Sequence, residues 1–189
     1  MGTIFVDNIK QQSSQGSGTI TIGASGETVA LASGVKQSNL LTPAFEAYLS
    51  SDQNLTDSTY TKIQFDTEGF DTDNCYDNST NYRFTPTVAG KYLVYSTMEG
   101  EAAGTNTMYR VILAIYKNDS IVARYYNYPS TSAPQNHQSV NVSRTIDMNG
   151  TSDYLEIFGF VDPTSSNQGR AESSSTDLRT YFGAFRIGS

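Results

Sequence analysis

The most regular alternation of apolar and polar residues in the chain lies between Lys91 and Met98, in the stretch KYLVYSTM. Side chains alternate there with a period of two, which is the period of a β-strand, and aromatic and β-branched residues are abundant. Each of the two faces carries an aromatic residue. We therefore expect one face of this strand to pack on the protein's own core and the other to pack on a partner subunit.

Eight further segments have the composition and spacing of strands. They are Phe45–Leu49, Thr59–Phe65, Asn81–Thr85, Tyr109–Lys117, Ser120–Tyr126, Ser139–Asp147, Tyr154–Phe160 and Arg179–Ile187. Turn signals separate several of them, namely Ala89-Gly90, the sequence KNDS at 117–120, and Asn149-Gly150. About nine strands without sustained helical periodicity predict an all-β jelly-roll sandwich. Binding is expected in the long polar loops, which are Ser50–Ser58, Gly69–Thr80, Pro129–Gln138 and Pro163–Thr176.

Residues 1–42 have a different character, with short apolar alternations between glycines in the run GTITIGASGETVALASG at 18–34. Ile20 and Ile22 share one face of the first alternation, and Val29 and Leu31 share a face of the second. Strands this short build no core in one chain, whereas three copies wound around an axis cover one another's apolar edges. We predict an N-terminal β-repeat segment at 1–42 that anchors or extends a folded domain at 43–189. The alternative is a flexible linker, which leaves the alternating apolar residues without a role.

Composition argues against several classes of partner. The chain has 189 residues and a formal net charge of -7, which disfavours nucleic acid and anionic membranes. No apolar run approaches the roughly 20 residues of a membrane-spanning helix, so we expect no membrane insertion. The N-terminus MGTIFVDNIKQQ lacks the pattern of a secretory signal, and the single cysteine, Cys75, rules out an intramolecular disulfide. We therefore expect the chain to fold in a reducing cytoplasm.

Five motifs, in the same order along the chain, resemble those of the globular head of complement component one q, in the tumour-necrosis-factor superfamily. They are Ala44–Leu49, Thr61–Phe65, the series formed by Phe84, Gly90, Tyr92 and Val94, then Tyr154–Ile157, and Tyr181–Phe185. The family's late strand follows a Gly-Asp turn, where this chain has Asn149-Gly150 and a displaced Asp153. The resemblance covers residues 43–189. It implies a jelly roll that assembles as a homotrimer and binds partners through outer loops, and it does not imply catalysis.

The run at 18–34 loosely resembles the short β-repeat shafts and N-terminal modules of phage tail and fibre proteins. Both resemblances, with the missing secretory signal, predict a bacteriophage virion protein made in the host cytoplasm: a trimeric fibre, spike or surface-decoration subunit. We expect residues 1–42 to contact other virion proteins and the head to bind a glycan or protein of the host surface. Two alternatives stay open, a capsid cement protein without receptor binding and a free complement-like binding module. An enzyme is the least favoured interpretation.

No combination of residues indicates catalysis, a cofactor or a metal. His137 is the only histidine and lies in the polar stretch SAPQNHQS, so a zinc site is not expected. No nucleophile and base form a recognisable motif. The acidic stretch FDTEGFDTDNCYD at 65–77 has the oxygen density of a calcium site but not the ligand spacing of a helix-loop-helix site. We favour a solvated acidic loop there.

Two sets of candidate site residues follow from these patterns. The trimer interface is expected along the strand Lys91–Met98 and the C-terminal strand, and the candidates are Tyr92, Leu93, Tyr95, Tyr181 and Phe185. The alternation does not decide which face of the strand Lys91–Met98 lies outside. Host binding is expected in or beside the loops at 69–80 and 129–138, and its candidates are Asp71, Asp73, Tyr126 and Tyr128. Carboxylates and tyrosine rings suit the hydroxyls and the apolar face of a sugar, and they suit a protein surface equally.

Overall fold

The computed structural model of the protein describes residues 42–104, 107–130, 132–165, 168–174 and 176–188. Within these ranges the chain forms thirteen β-strands and no helix, so nothing there has the length and apolar character of a membrane-spanning helix. The predicted β-repeat, with Ile20, Ile22, Val29 and Leu31, lies outside the described residues. Its structure and its anchoring role stay predictions.

The described strands confirm the all-β class, with more strands than the nine or so expected, because several short edge strands join the long ones. In chain order they are β1 (Ala44–Tyr48), β2 (Gln53–Leu55), β3 (Thr61–Lys62), β4 (Thr67–Asp71), β5 (Tyr76–Asp77), β6 (Arg83–Phe84), β7 (Gly90–Ala102), β8 (Met108–Lys117), β9 (Ser120–Asn127), β10 (His137–Met148), β11 (Leu155–Pro163), β12 (Gly169–Ala171) and β13 (Tyr181–Gly188).

The first sheet is built around β7 and has the order β4-β1-β13-β7-β10, with antiparallel pairing throughout. One edge of β7 pairs with two strands in turn, first with β13 and then with β12, which also pairs with β2. The other edge pairs with β10 from the Gly90–Met148 pair to the Glu101–His137 pair. Side chains at alternate positions of β7 therefore form rows that cross the whole sheet.

The second sheet has the order β5-β6-β11-β8-β9, and β3 also pairs with β11. All of these pairs are antiparallel. Strand β9 contacts β10 of the first sheet, so these two strands mark one edge of the sandwich. Strands β4 and β5, which follow each other in the chain, mark the opposite edge.

An aromatic cluster joins the two sheets at the core. The ring of Phe45, from β1, stacks on Tyr76 and Phe84 of the second sheet at centroid distances of 4.7 and 4.4 Å. It also meets Phe182 of β13 edge-on at 4.8 Å. All four rings are buried, and aromatic pairs of this kind add about 0.5–1.5 kcal/mol each beyond the area they bury. This packing explains how β5 and β6 hold their places with only two residues each.

The three turns predicted from the sequence are present. Asn118 and Asp119 have φ values of 49° and 63° and form the two-residue hairpin between β8 and β9, where a type I′ turn needs positive φ at both positions. Gly90 and Gly150 also have positive φ, 147° and 70°. A Cβ on Gly150 would lie 2.3 Å from the backbone nitrogen of Ala89, so the two glycine turns contact each other where no larger residue fits.

The extended segments differ from the prediction mainly at the sheet edges. The predicted loops contain β2, β5, β12 and part of β4, which are short and polar. They form because neighbouring strands present unpaired backbone groups; β12, for example, occupies the edge of β7 beyond the end of β13. Conversely, the predicted strands Thr59–Phe65 and Asn81–Thr85 shrink to the two-residue strands β3 and β6. Pro86, which cannot donate to a ladder, follows the second of these closely.

Candidate functional site

The outer face of the first sheet, turned away from the core, carries an aromatic patch. Cross-strand pairing places Leu93 of β7 beside Phe185 of β13, and Tyr95 lies between Phe185 and Tyr181 on the same face. The Tyr95 ring centroid lies 6.3 Å from that of Tyr181 and 6.5 Å from that of Phe185. We call these four residues the aromatic patch. Each is partly exposed, which leaves a surface that an apolar partner can cover.

Tyr95 is held in one orientation at the centre of this patch. A Cβ on Gly183 would lie 2.4 Å from its ring carbon Cζ, so the ring occupies the space that the glycine leaves open. Its hydroxyl donates a hydrogen bond of 2.9 Å to Oε2 of Glu46. Burial, together with that neighbouring carboxylate, raises the pKa of Tyr95, so the hydroxyl remains a donor at neutral pH. Phe70, which is 47% exposed, pairs with Glu46 across β1 and β4, and it extends the cross-strand row of Tyr95, Gly183 and Glu46.

Tyr92, also a candidate for the trimer interface, lies on the opposite face of β7. It is fully buried between the sheets, where its ring lies 5.7 Å from that of Phe84. Its hydroxyl donates to the backbone oxygen of Val88 at 2.7 Å, and burial raises its pKa to about 12. The structure therefore assigns Tyr92 to the core and removes it from the candidate interface, because no part of it is accessible to another subunit. The other four candidates are the aromatic patch.

Asp71 and Asp73, candidates for host binding, shape the turn between β4 and β5. The carboxylate of Asp71 accepts backbone hydrogen bonds from Asp73 at 3.2 Å and from Tyr76 at 2.7 Å. The carboxylate of Asp73 accepts the hydroxyl of Thr72. A role of these two residues in host binding stays a prediction. The hydrogen bonds of Asp71 hold the backbone of this turn, whereas Asp73 contacts a neighbouring side chain.

Two further carboxylates of the acidic stretch have similar local partners. Asp77 accepts backbone N–H bonds from Ser79, Thr80 and Asn81, and these bonds, with that of Thr80 the strongest, lower its pKa. Burial would raise the pKa of Asp66, but hydrogen bonds from the hydroxyl and the backbone N–H of Ser50 outweigh it and lower the pKa. These oxygens of the acidic stretch thus bind the chain itself, as Asx turns do.

Tyr126 and Tyr128, the other host-binding candidates, form a stack at the end of β9 in which Tyr126 is partly exposed and Tyr128 is exposed. Their rings are parallel within 5°, with centroids 6.0 Å apart, and the guanidinium of Arg124 lies 5.1 Å from the Tyr126 ring. Tyr128 is 63% exposed. A nearby apolar cavity of about 240 Å³ is lined in part by Tyr109 and Pro129. Flat rings beside a small apolar cavity can receive a sugar ring or a peptide side chain.

The two host-binding sets do not meet. Asp71 ends β4, at one edge of the sandwich, whereas Tyr126 lies on β9, at the opposite edge. They can therefore serve two separate contacts but not one shared site.

The outer face of the second sheet differs from that of the first, because cations cover its aromatic rings. Lys62 lies 5.9 Å from the ring centroid of Phe158, and Arg110 lies 4.9 Å from that of Phe160. Lys62 also forms a 2.7 Å ion pair with Glu156, whose side chain is only 1% exposed. This face is closed by its own residues, which leaves the aromatic patch of the first sheet without an equivalent cover from the described residues.

A cluster that the sequence did not predict lies at the far end of the first sheet's outer face. Nδ1 of His137, at the start of β10, lies 3.4 Å from Oε1 of Glu172 and 3.9 Å from Oε1 of Glu99. Among the described residues, these three form the group of histidine, cysteine and carboxylate side chains with the spacing of metal ligands. They come from three separate segments of the chain, so their proximity could not be predicted from the sequence. The only local indication was the pair of acidic residues at alternate positions of β7, Glu99 and Glu101.

Comparison with solved structures identifies the fold. The chain is similar to murine APRIL, with a TM-score of 0.54, 9% identity, and 76% of this chain and 98% of that one covered. It is similar to the globular domain of zebrafish complement 1qA protein, with a TM-score of 0.53, 16% identity, and 77% and 98% covered. It is also similar to the Eiger TNF protein of S. frugiperda, with a TM-score of 0.54, 9% identity, and 77% and 91% covered.

No protein-family model matches the chain, and no curated protein matches it in sequence. At the identities of the solved structures, the likeness shows the fold alone. The described domain therefore has the jelly-roll fold of tumour-necrosis-factor and complement 1q heads, which confirms the fold that the sequence resemblance implied.

Proposed function

We propose that this protein is a homotrimeric surface subunit of a bacteriophage virion, of the fibre, spike or decoration type. Its folded domain self-associates through the outer face of the first sheet and presents the second sheet outward. The observation that carries the proposal is the aromatic patch, formed by Leu93, Tyr95, Tyr181 and Phe185. A second copy of the chain is its proposed occupant.

Several features of the patch favour a permanent partner. Its central ring is fixed by Gly183 and Glu46, so little side-chain entropy is lost when a partner covers it. Exposed apolar residues flank it, with Phe70 at 47% and Ile187 at 45% exposure. Interface cores are enriched in Tyr and Phe and depleted of charge, and the four side chains of the patch are uncharged and mostly aromatic.

Host contact is assigned to the second sheet and to the turn between β4 and β5, which stay accessible when the aromatic patch is covered. Tyr126 and Tyr128, with Arg124 beside them, offer stacked rings and a cation for a glycan or a protein of the host surface. Asp71 and Asp73 offer a second, separate contact at the other edge of the sandwich.

Attachment to the particle is assigned to residues 1–42. The support is their loose resemblance to phage tail and fibre modules and the alternating apolar residues between glycines at 18–34. A chain that begins at residue 40 should keep the folded domain and should fail to incorporate into particles assembled in vivo. Normal incorporation of this truncated chain would contradict the anchoring role.

The proposed self-association is tested by changing Tyr95→Arg, with Tyr126→Arg as a matched control on the second sheet. Both changes place a cation where a partly exposed tyrosine stood, so their costs to folding are comparable. We expect Tyr95→Arg to yield a folded monomer in sedimentation-velocity runs, and Tyr126→Arg to sediment as the unaltered protein does. If both variants sediment alike, the outer face of the first sheet is not the interface.

The host-binding role is tested on particles that carry the double variant Tyr126→Ala and Tyr128→Ala. We expect adsorption to host cells to fall at least tenfold while incorporation into the particle is unchanged. Unchanged adsorption would favour a capsid cement protein without receptor binding, and antibody labelling of capsid as opposed to tail would then locate it.

A further inference from the structure

We propose that Glu99, His137 and Glu172 bind a divalent transition-metal ion of the zinc type at the end of β7. The proposal is independent of the proposed function, because one chain supplies all three side chains. Each side chain offers one ligand atom, and these three atoms lie within 4.8 Å of one another. Nδ1 of His137 faces Oε1 of both glutamates.

The distances in this cluster suit a shared ion better than direct hydrogen bonds. Nδ1 of His137 lies 3.4 Å from Glu172 and 3.9 Å from Glu99, beyond the usual 2.7–3.2 Å of an N–H···O bond. Ligands bound at about 2.0–2.1 Å in a tetrahedron lie about 3.3 Å apart. Among the described contacts, no hydrogen bond of normal length uses either ring nitrogen. The three atoms therefore face a common point without bonding each other.

Arg179 and the backbone fix the two glutamates in this arrangement. The guanidinium of Arg179 lies 2.8 Å from Oε2 of Glu172 and 3.4 Å from Oε2 of Glu99, so it contacts the oxygens that do not face His137. The backbone N–H of Glu172 donates to the carbonyl of Glu99 at 2.8 Å. In each glutamate, Arg179 therefore fixes Oε2 and leaves Oε1 free to bind an ion. Residues around a metal site commonly orient the ligands in this way.

Glu101 is a buried carboxylate beside this cluster. It is 8% exposed, and its Oε2 forms an ion pair with Nε of Arg170 at 3.1 Å. Its Oε1 lies 4.0 Å from Nε2 of His137. A metal on Nδ1 leaves Nε2 as the protonated nitrogen, and a closer approach would let it donate to Glu101. That hydrogen bond would complete the carboxylate–histidine–metal arrangement found in zinc sites.

The charge balance also favours a cation. The network that surrounds His137 holds two guanidinium groups, those of Arg170 and Arg179, against more than twice as many carboxylates. The carboxylates belong to Asp52, Glu99, Glu101, Glu172 and Asp177. A divalent ion would offset part of that excess. Imidazole as a ligand favours zinc and its neighbours in the first transition row over Ca²⁺ and Mg²⁺, which prefer oxygen alone.

The direct test is calorimetric titration of ZnCl₂ into the untagged full chain after treatment with a chelator. We expect one ion per chain, and we expect His137→Gln and Glu172→Gln each to weaken binding at least tenfold. Asp147→Asn is the matched control, because Asp147 is an exposed carboxylate at the other end of β10, and it should bind as the unaltered chain does. Millimolar Ca²⁺ or Mg²⁺ should not compete.

The single histidine allows a second test without an assignment problem. A ¹H–¹⁵N spectrum of the imidazole should show that zinc shifts Nδ1 as a metal-bound nitrogen while Nε2 carries the proton. Zinc on Nε2, equal affinity in His137→Gln, or no binding by the unaltered chain would each overturn the proposal. In the last case the cluster is an ion-pair network only.

Discussion

Tyr95 keeps its position on the outer face because residue 183 has no side chain. Gly183→Ala places a methyl group 2.4 Å from the Tyr95 ring carbon Cζ, so the ring must turn away from Glu46. We expect this change to weaken self-association at least tenfold, while the free energy of unfolding of the isolated chain changes by less than about 1 kcal/mol, because the ring turns toward solvent. Gly188→Ala is the control, since nothing lies within 4 Å of its added Cβ. Equal association of the two variants in sedimentation equilibrium would contradict the role given to Tyr95.

Asp77 is expected to make stability depend on pH in the acid range. Its pKa is lower in the folded chain than the ordinary value of 3.8, chiefly because the backbone N–H of Thr80 donates to the carboxylate. Its stabilisation is therefore complete above about pH 4 and is lost as the pH falls through the folded-state pKa. We expect Asp77→Asn to lower the free energy of unfolding at pH 7, because a neutral amide oxygen accepts these N–H bonds more weakly than a carboxylate does, and to lower it less at pH 2.

Urea unfolding of the Asp77→Asn variant between pH 2 and pH 7 measures this difference. Asp147→Asn serves as the control, because Asp147 is 79% exposed and contributes only a surface ion pair with Lys91. A constant difference between Asp77→Asn and the unaltered chain across this range would contradict the assigned cause.

The hairpin between β8 and β9 is the element that the sequence predicted most fully, because its two turn residues act locally. Asn118 has a φ of 49°, its Oδ1 accepts the backbone N–H of Tyr154, and its Nδ2 donates to Oδ1 of Asp153. We expect Asn118→Ala to cost about 1–2 kcal/mol, from the strained φ and the lost bonds. Asp119→Gly should cost less, because glycine accepts its φ of 63° without strain. Thermal unfolding of both variants gives the comparison, and a larger loss for Asp119→Gly would contradict it.

Strand β7 shows why the sequence predicted some elements only in part. Its first half has the alternation that predicted a strand at Lys91–Met98, whereas its last residues, Glu99 to Ala102, include two carboxylates and a glycine. These extend the strand because β10 and β12 pair with them on both edges. Tertiary pairing overrides local composition there, as it does for the polar strand β2. The same extension brings Glu99 and Glu101 to His137, which no local pattern could reveal.

For the whole molecule, the jelly-roll fold followed from a resemblance, and the outer surfaces did not. Five motifs indicated a jelly roll, and the solved structures with this fold agree. Alternation could not decide which face of β7 is outside, because Tyr92 and Tyr95 are both aromatic. The second sheet decides it by burying Tyr92 against Phe84. The candidate loops at 69–80 and 129–138 were predicted as exposed and polar, but their separation across the sandwich depends on sheet order, which composition does not encode.

The central claim is that the outer face of the first sheet joins copies of this chain, and the most direct test is the mass of the full chain in solution. Sedimentation equilibrium of the untagged protein at micromolar concentration measures this mass independently of shape. The account predicts about three times the 20.6 kDa of one chain, in the presence and in the absence of a chelator. A stable monomer under the same conditions would contradict it. A trimer that disassembles with the chelator would also contradict it, because the ion at His137 and not the aromatic patch would then hold the trimer together.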